Sequence, residues 1–110
     1  MVTLTMSRSS TITDSEELHN PHAGDMLCWE FMEPLGLSVP TLAQAIAVEP
    51  SRIQKLLDGT ARIDGELDLR LTRYFRMSEG FFMRLQDSYE LREARRALEG
   101  ELDRIQPRAA

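Results

Sequence analysis

The chain of 110 residues holds a single cysteine, Cys28, so an internal disulfide is excluded. No apolar run approaches the roughly 18 residues of a membrane span. The first residues lack the basic-then-apolar pattern of a secretory signal. Together these features lead us to expect a reducing, cytoplasmic setting with no membrane association. There is no glycine-rich phosphate loop. His19 and His22, with Glu16, Glu17 and Asp25 nearby, lack the usual spacing of metal ligands. Cys28 has no His and acid partner set, and no Lys or His to lower its pKa, so it reads as packed rather than reactive. The six methionines are core filler or a start residue, not a cofactor box. The expectation is a protein that is not an enzyme and uses no cofactor and no metal. Positive charge is scarce too, with a formal net charge of −5, which at first argues against nucleic acid.

What is present is helical. A hydrophobic content of 42% with 28% charged residues fits one globular domain. Residues 1–21 are rich in Ser and Thr and poor in large apolar residues, and read as a flexible arm. A first helix is expected from about Gly24 to Glu33. Met26, Trp29, Phe31 and Met32 are its apolar residues, and Pro34 with Gly36 ends it. Residues 38–59 read as a helix-turn-helix. Ser38 caps a short helix with Pro40 in its first turn and Leu42 and Ile46 on one face. Val48 fills the corner. Pro50 starts a second helix with Ile53, Leu56 and Leu57 toward the core, and Gly59 closes it. A fourth helix is expected from a cap at Asp64 to Phe75, with Leu67, Leu71 and Tyr74 on its inner face. A fifth opens at Ser78 and carries Phe81, Phe82, Leu85 and Tyr89. Leu91, Leu98 and Ile105 continue it as a weak heptad that Gly100 interrupts. No strand is expected. The fold class is all-α, with a five-helix domain over 22–97 and a C-terminal helix extension and tail over 98–110.

The charge is unevenly spread. Residues 51–76 carry six cations (Arg52, Lys55, Arg62, Arg70, Arg73 and Arg76) against four acids (Asp58, Asp64, Glu66 and Asp68), a local balance of +2. On a wheel of 100° per residue, Ser51 and Lys55 point away from Ile53, Leu56 and Leu57, with Arg52 and Gln54 flanking them. Arg, Lys and Gln match the donor and acceptor edges of guanine and adenine in a major groove. Thr41 and Gln44 of the preceding helix are placed for backbone phosphates, as is Arg62 after the second helix. The candidate DNA-binding residues are therefore Ser51, Arg52, Gln54, Lys55, Thr41, Gln44 and Arg62. The same residues also read as an ordinary solvated helix face. Phe82, Tyr89, Leu91 and Leu98 supply more apolar surface than one helix needs, and are the candidate dimer interface.

Five short helices with a helix-turn-helix at positions two and three resemble the lambda-repressor-like fold. The segments EPLGLSVPTLAQAI at 33–46, LRLTRYF at 69–75 and FMRLQDSYEL at 82–91 resemble the HigA family, the Xre-type antitoxins of toxin–antitoxin pairs. The resemblance spans roughly residues 22–97. It implies a homodimer that binds its own double-stranded, pseudo-palindromic operator, represses its operon, and masks a small basic toxin of the HigB, mRNA-cutting type. A two-fold dimer would set its recognition helices about one DNA turn apart. The chain departs from the family pattern at several positions. Ala47 stands where a left-handed turn usually takes Gly, Glu49 where helix three usually takes a Ser cap, and Thr60 and Ala61 where a basic pair is usual. Asp68 replaces a small apolar residue, and His22-Ala23-Gly24-Asp25 replaces His-Pro-Gly-Glu. Two alternatives stay open on the same residues: a toxin-binding protein with weak or lost DNA binding, and a stand-alone repressor. The acids of the arm (Asp14, Glu16, Glu17) and of helix five (Glu90, Glu93, Glu99) are candidate toxin contacts.

Overall fold

The computed structural model describes residues 20–109. Residues 1–19, which hold almost all of the arm together with His19 and its acids, lie outside them. Five helices make up the described residues, and none contains a strand. Helix α1 is composite: α-helical over Ala23–Met26, π-helical over Leu27–Met32 and α-helical again over Glu33–Leu35. Then follow α2 (Val39–Ile46), α3 (Pro50–Asp58), α4 (Gly65–Phe75) and α5 (Phe81–Ala97), with a 3₁₀ turn at Leu102–Arg104.

The caps explain most of the boundaries. The Ser38 hydroxyl accepts the Thr41 amide at 3.2 Å, and Asp64 accepts the Leu67 amide at 2.9 Å. Four helices end in the same way, with one left-handed residue followed by an amide that reaches back five positions. Leu37 donates to Met32, Val48 to Ala43, Thr60 to Lys55, and Met77 to Thr72. The left-handed residue is Gly36 or Gly59 in two of these turns. In the other two it is Ala47 (φ 62°) and Arg76 (φ 61°), whose side chains crowd their own backbone.

The core gathers one face from each helix: Ala23, Leu27 and Met32 of α1, Leu42 and Ile46 of α2, Ile53 and Leu56 of α3, Leu67 and Leu71 of α4, and Phe82 of α5. Ile63, in the loop before α4, is also buried there. Phe31, Phe75, Phe81 and Phe82 form an aromatic cluster, with the Phe31 and Phe75 rings 4.9 Å apart. Gly24 fixes how α1 meets α3. A Cβ on it would stand 2.0 Å from the Leu56 carbonyl oxygen, so only glycine permits this crossing.

The structure corrects several expectations. Asn20, assigned to the arm, is buried and bonded to Arg92 and Glu93 of α5, so ordered chain begins before the expected boundary. Helix α1 runs past Pro34 to Leu35. The wide π turn ahead of the proline makes room for its ring and its missing N–H. Trp29, within the same turn, is about half exposed. Tyr74 is exposed, and the inner face of α4 passes instead through Leu67, Asp68, Leu71 and Thr72. Ser78 does not cap α5. Gly80 is the capping residue, and the Ser78 hydroxyl accepts from Arg84. Helix α5 ends at Ala97, and Gly100 turns the chain at φ 85°, so Leu91, Leu98 and Ile105 do not share one helix.

Candidate nucleic-acid interface

The helix-turn-helix exists as read. Ala47 makes the left-handed corner between α2 and α3, and Val48 is half-buried beneath it. The Arg70 guanidinium of α4 donates to the Ile46 carbonyl at 2.9 Å. A cation thereby sits on the carbonyl end of α2, where the helix dipole favours it, and braces the strained corner. At the other end of α3, Gly59 packs on the His22 ring. His22 caps α1, its Nδ1 accepting the Gly24 and Asp25 amides at 3.0 and 3.2 Å, while Asp25 accepts the His22 amide. Tyr89 of α5 backs the ring edge-on at 5.9 Å. Arg70 thus fixes the corner that leads into α3, and His22, backed by Tyr89, lies against the Gly59 that closes it.

Its outward face carries Ser51, Gln54, Lys55 and Asp58, all exposed. Gln54 donates to Asp58 at 3.0 Å, which orients both side chains. Lys55 makes no ion pair with any described residue, so no described carboxylate competes with an incoming anion for its ammonium. Thr41 and Gln44 are exposed on α2, beside the start of this face. The Thr41 hydroxyl already accepts from Ser38 at 2.9 Å. Glu49 stands at the N-cap of α3 and makes no side-chain capping bond; Pro50 has no amide to cap, and the Arg52 amide donates to the Glu49 carbonyl at 2.9 Å.

Two predicted cations differ from the sequence reading. Arg52 turns off the outward face: its Nη2 donates to both oxygens of Asp64 at 2.9 Å, and its Nη1 lies 3.6 Å from Glu66. Arg62 is held by Glu90 of α5, with Nε to Oε2 at 2.5 Å and Nη2 to Oε1 at 3.0 Å. The hydrogen bond and charge of Glu90 raise the Arg62 pKa, and Arg62 with Gln86 lowers that of Glu90. Arg70 is likewise paired, to Glu66 at 3.1 Å. Three of the six cations of residues 51–76 are therefore engaged, Arg52 and Arg70 by acids of the same segment and Arg62 by Glu90 from outside it, while Lys55, Arg73 and Arg76 pair with no described carboxylate.

The candidate dimer residues divide. Phe82 is fully buried against Phe31 and Phe75 within its own chain, and has no surface to offer a second copy. Tyr89 is half-buried against His22. Leu91 and Leu98 remain exposed, at 59% and 41%. The residue most consequential for the fold that the sequence did not assign is Asp68. It is buried, and its carboxylate accepts the amides of Gly80, Phe82 and Met83 at 2.6, 2.9 and 3.1 Å. The available signal was a lone acid on an apolar helix face. Among the described residues no group of three His, Cys, Asp or Glu side chains is arranged to hold a metal. No described helix is long and apolar enough to cross a membrane.

No protein-family model matches the chain. Virulence-associated protein I of Dichelobacter nodosus is 37% identical over 73 residues, covering 66% of this chain and 68% of that protein. The antitoxin HigA of Pseudomonas aeruginosa, solved with the higBA promoter, is 30% identical with a TM-score of 0.74. The match covers 82% of this chain and 99% of that one. A further Pseudomonas aeruginosa structure, in complex with 18-bp operator DNA, is 31% identical with a TM-score of 0.76. That match covers 82% and 96% of the two chains.

Proposed function

The chain belongs to the HigA family of Xre-type helix-turn-helix antitoxins, and from that premise we propose that it is an antitoxin that represses its own operon by binding operator DNA. The observation that carries this reading is the outward face of α3. Ser51, Gln54 and Lys55 stand exposed on a helix set between the corner that Arg70 braces and the His22 ring, in a fold that solved relatives bring to DNA. In this reading α3 enters the major groove, Lys55 and Gln54 meet base edges or nearby phosphates, and Thr41 and Gln44 meet the backbone. The protein acts as a homodimer in the cytoplasm, without catalysis. Its second partner is a small basic toxin of the HigB, mRNA-cleaving type, which an acidic chain suits by charge.

The test is a titration against labelled duplex from the region upstream of its own gene, by fluorescence anisotropy at two salt concentrations with unrelated duplex as control. Tight, salt-sensitive and selective binding supports the reading. Binding no better than the control overturns the repressor half of it. A specific observation favours a second reading in that case. Arg52 and Arg62 are both engaged by carboxylates, and Glu49 places a negative charge at the start of α3. A chain so built would serve as a toxin-binding protein with weak DNA affinity. For the dimer, light scattering at micromolar concentration should give twice the mass of one chain, and a monomeric mass would overturn that part.

A further inference from the structure

The loop that follows the recognition helix carries a guanidinium whose hydrogen-bonding fork is already filled. Arg62 uses Nε and Nη2, the pair that meets a phosphate side-on, to grip the two oxygens of Glu90. Glu90 is not free to follow Arg62 elsewhere. Its Oε2 also accepts Gln86 Nε2 at 2.6 Å, and Gln86 is buried, its own Oε1 accepting the Ile63 amide at 3.1 Å. The carboxylate is therefore fixed to α5, and the loop backbone one residue beyond Arg62 is fixed to the same network. Only the Arg62 side chain has room to leave.

We propose that Glu90 is an internal competitor of DNA phosphate for Arg62, an electrostatic latch that Arg62 must release before it can contact the duplex. The inference rests on the reading of α3 and the loop after it as the DNA-contacting surface. The geometry makes the two roles exclusive, because carboxylate and phosphate require the same two N–H groups. The pair is substantially solvated, with side chains 60% and 39% exposed, so the latch is weak enough to open and subtracts only modestly from affinity. A similar exchange at Arg52 cannot be tested as cleanly. Its partner Asp64 is also the cap of α4, and removing it would disturb the fold.

The experiment is a double-mutant cycle on binding to the upstream duplex, using the full chain as wild type, Glu90→Gln, Arg62→Ala and both together. Glutamine retains an acceptor for Gln86, and circular dichroism melts confirm that each variant is folded. Glu90→Gln is expected to tighten binding about two- to five-fold, matching the small energy of an exposed ion pair. Arg62→Ala is expected to weaken binding, and in that background Glu90→Gln should have little further effect. An equal gain with and without Arg62 would reveal simple removal of a negative charge and overturn the latch. Weaker binding by Glu90→Gln would overturn it in the other direction, making Glu90 a support for Arg62. If wild type itself fails to bind, the fault lies with the DNA-binding reading, not with the latch.

Discussion

The carboxylate of Asp68, in α4, accepts the amide of Phe82, in the first turn of α5, at 2.9 Å, and both residues are buried. Helix α5 begins after Gly80, which has no side chain to cap it. Asp68 supplies that cap from another helix, satisfying three orphan amides and placing negative charge at the positive end of the α5 dipole. Asp68→Ala should lower unfolding stability by about 2–4 kcal/mol, because buried amides lose their acceptor. Asp68→Asn should cost roughly half as much, since one oxygen remains for Phe82 and Met83 while an amide nitrogen faces the Gly80 N–H. Urea unfolding of the two variants checks this. Equal stability of Asp68→Ala and wild type would mean that α5 is held by apolar packing alone.

Two of the four left-handed turn positions hold residues with a Cβ. Ala47→Gly and Arg76→Gly should each raise stability by about 1 kcal/mol through relief of the steric cost at positive φ. The reverse changes separate strain from crowding. Gly36→Ala meets nothing within 4 Å and should pay only the conformational term. Gly59→Ala puts a Cβ 3.0 Å from His22 Nε2 and should cost more. Thermal melts that rank Gly59→Ala as milder than Gly36→Ala would refute this account.

Cys28 offers a chemical test of α1. Partial burial raises the thiol pKa, and the Glu33 carboxylate, which accepts from Sγ at 3.6 Å, raises it further. A raised pKa leaves less thiolate at any pH below it, so reaction with a disulfide reagent near pH 8 should be slow. Glu33→Gln removes the repelling charge and should speed the reaction several-fold. The gain should shrink as pH rises and thiolate dominates in both proteins. An unchanged rate would show that access, not charge, controls this thiol.

Much of this fold was legible because its signals are local. Ser38, Pro50, Gly59 and Asp64 each act within three or four residues of themselves, and Leu42, Ile46, Ile53 and Leu56 repeat at helical spacing into the core. Ala47 was read as a left-handed corner and is one. What the sequence could not show lies between elements. Asp68 serves amides 12 to 15 positions away, and Arg62 finds Glu90 at a separation of 28. Asn20 meets α5 at a separation of more than 70. A helical wheel counts Arg52 as an outward cation, since it carries no record of the Asp64 and Glu66 that turn it aside. The π turn in α1 also has no local signature, and Trp29 within it is about half exposed.

The contrast between Lys55 and Arg52 follows from that difference and gives a direct measure of the DNA face. Both lie on α3, but only Lys55 has an ammonium unclaimed by any described carboxylate. Lys55→Ala should weaken binding to the upstream duplex by about 1–3 kcal/mol. If Lys55 touches a phosphate, the loss should be similar across sequences and the salt slope should fall by about 1. If it reads a base, the loss should fall on the preferred sequence alone. Arg52→Ala should weaken binding less, because its guanidinium must first be drawn from Asp64 and Glu66 before it gains anything from DNA. Its unfolding stability should change by no more than about 1 kcal/mol, the usual range for an exposed pair. Anisotropy titrations of both variants at two salt concentrations decide the matter. A larger loss from Arg52→Ala than from Lys55→Ala would mean that the ion pair opens on the duplex and that Arg52 is the principal reader; wild-type affinity in both would remove α3 from the interface.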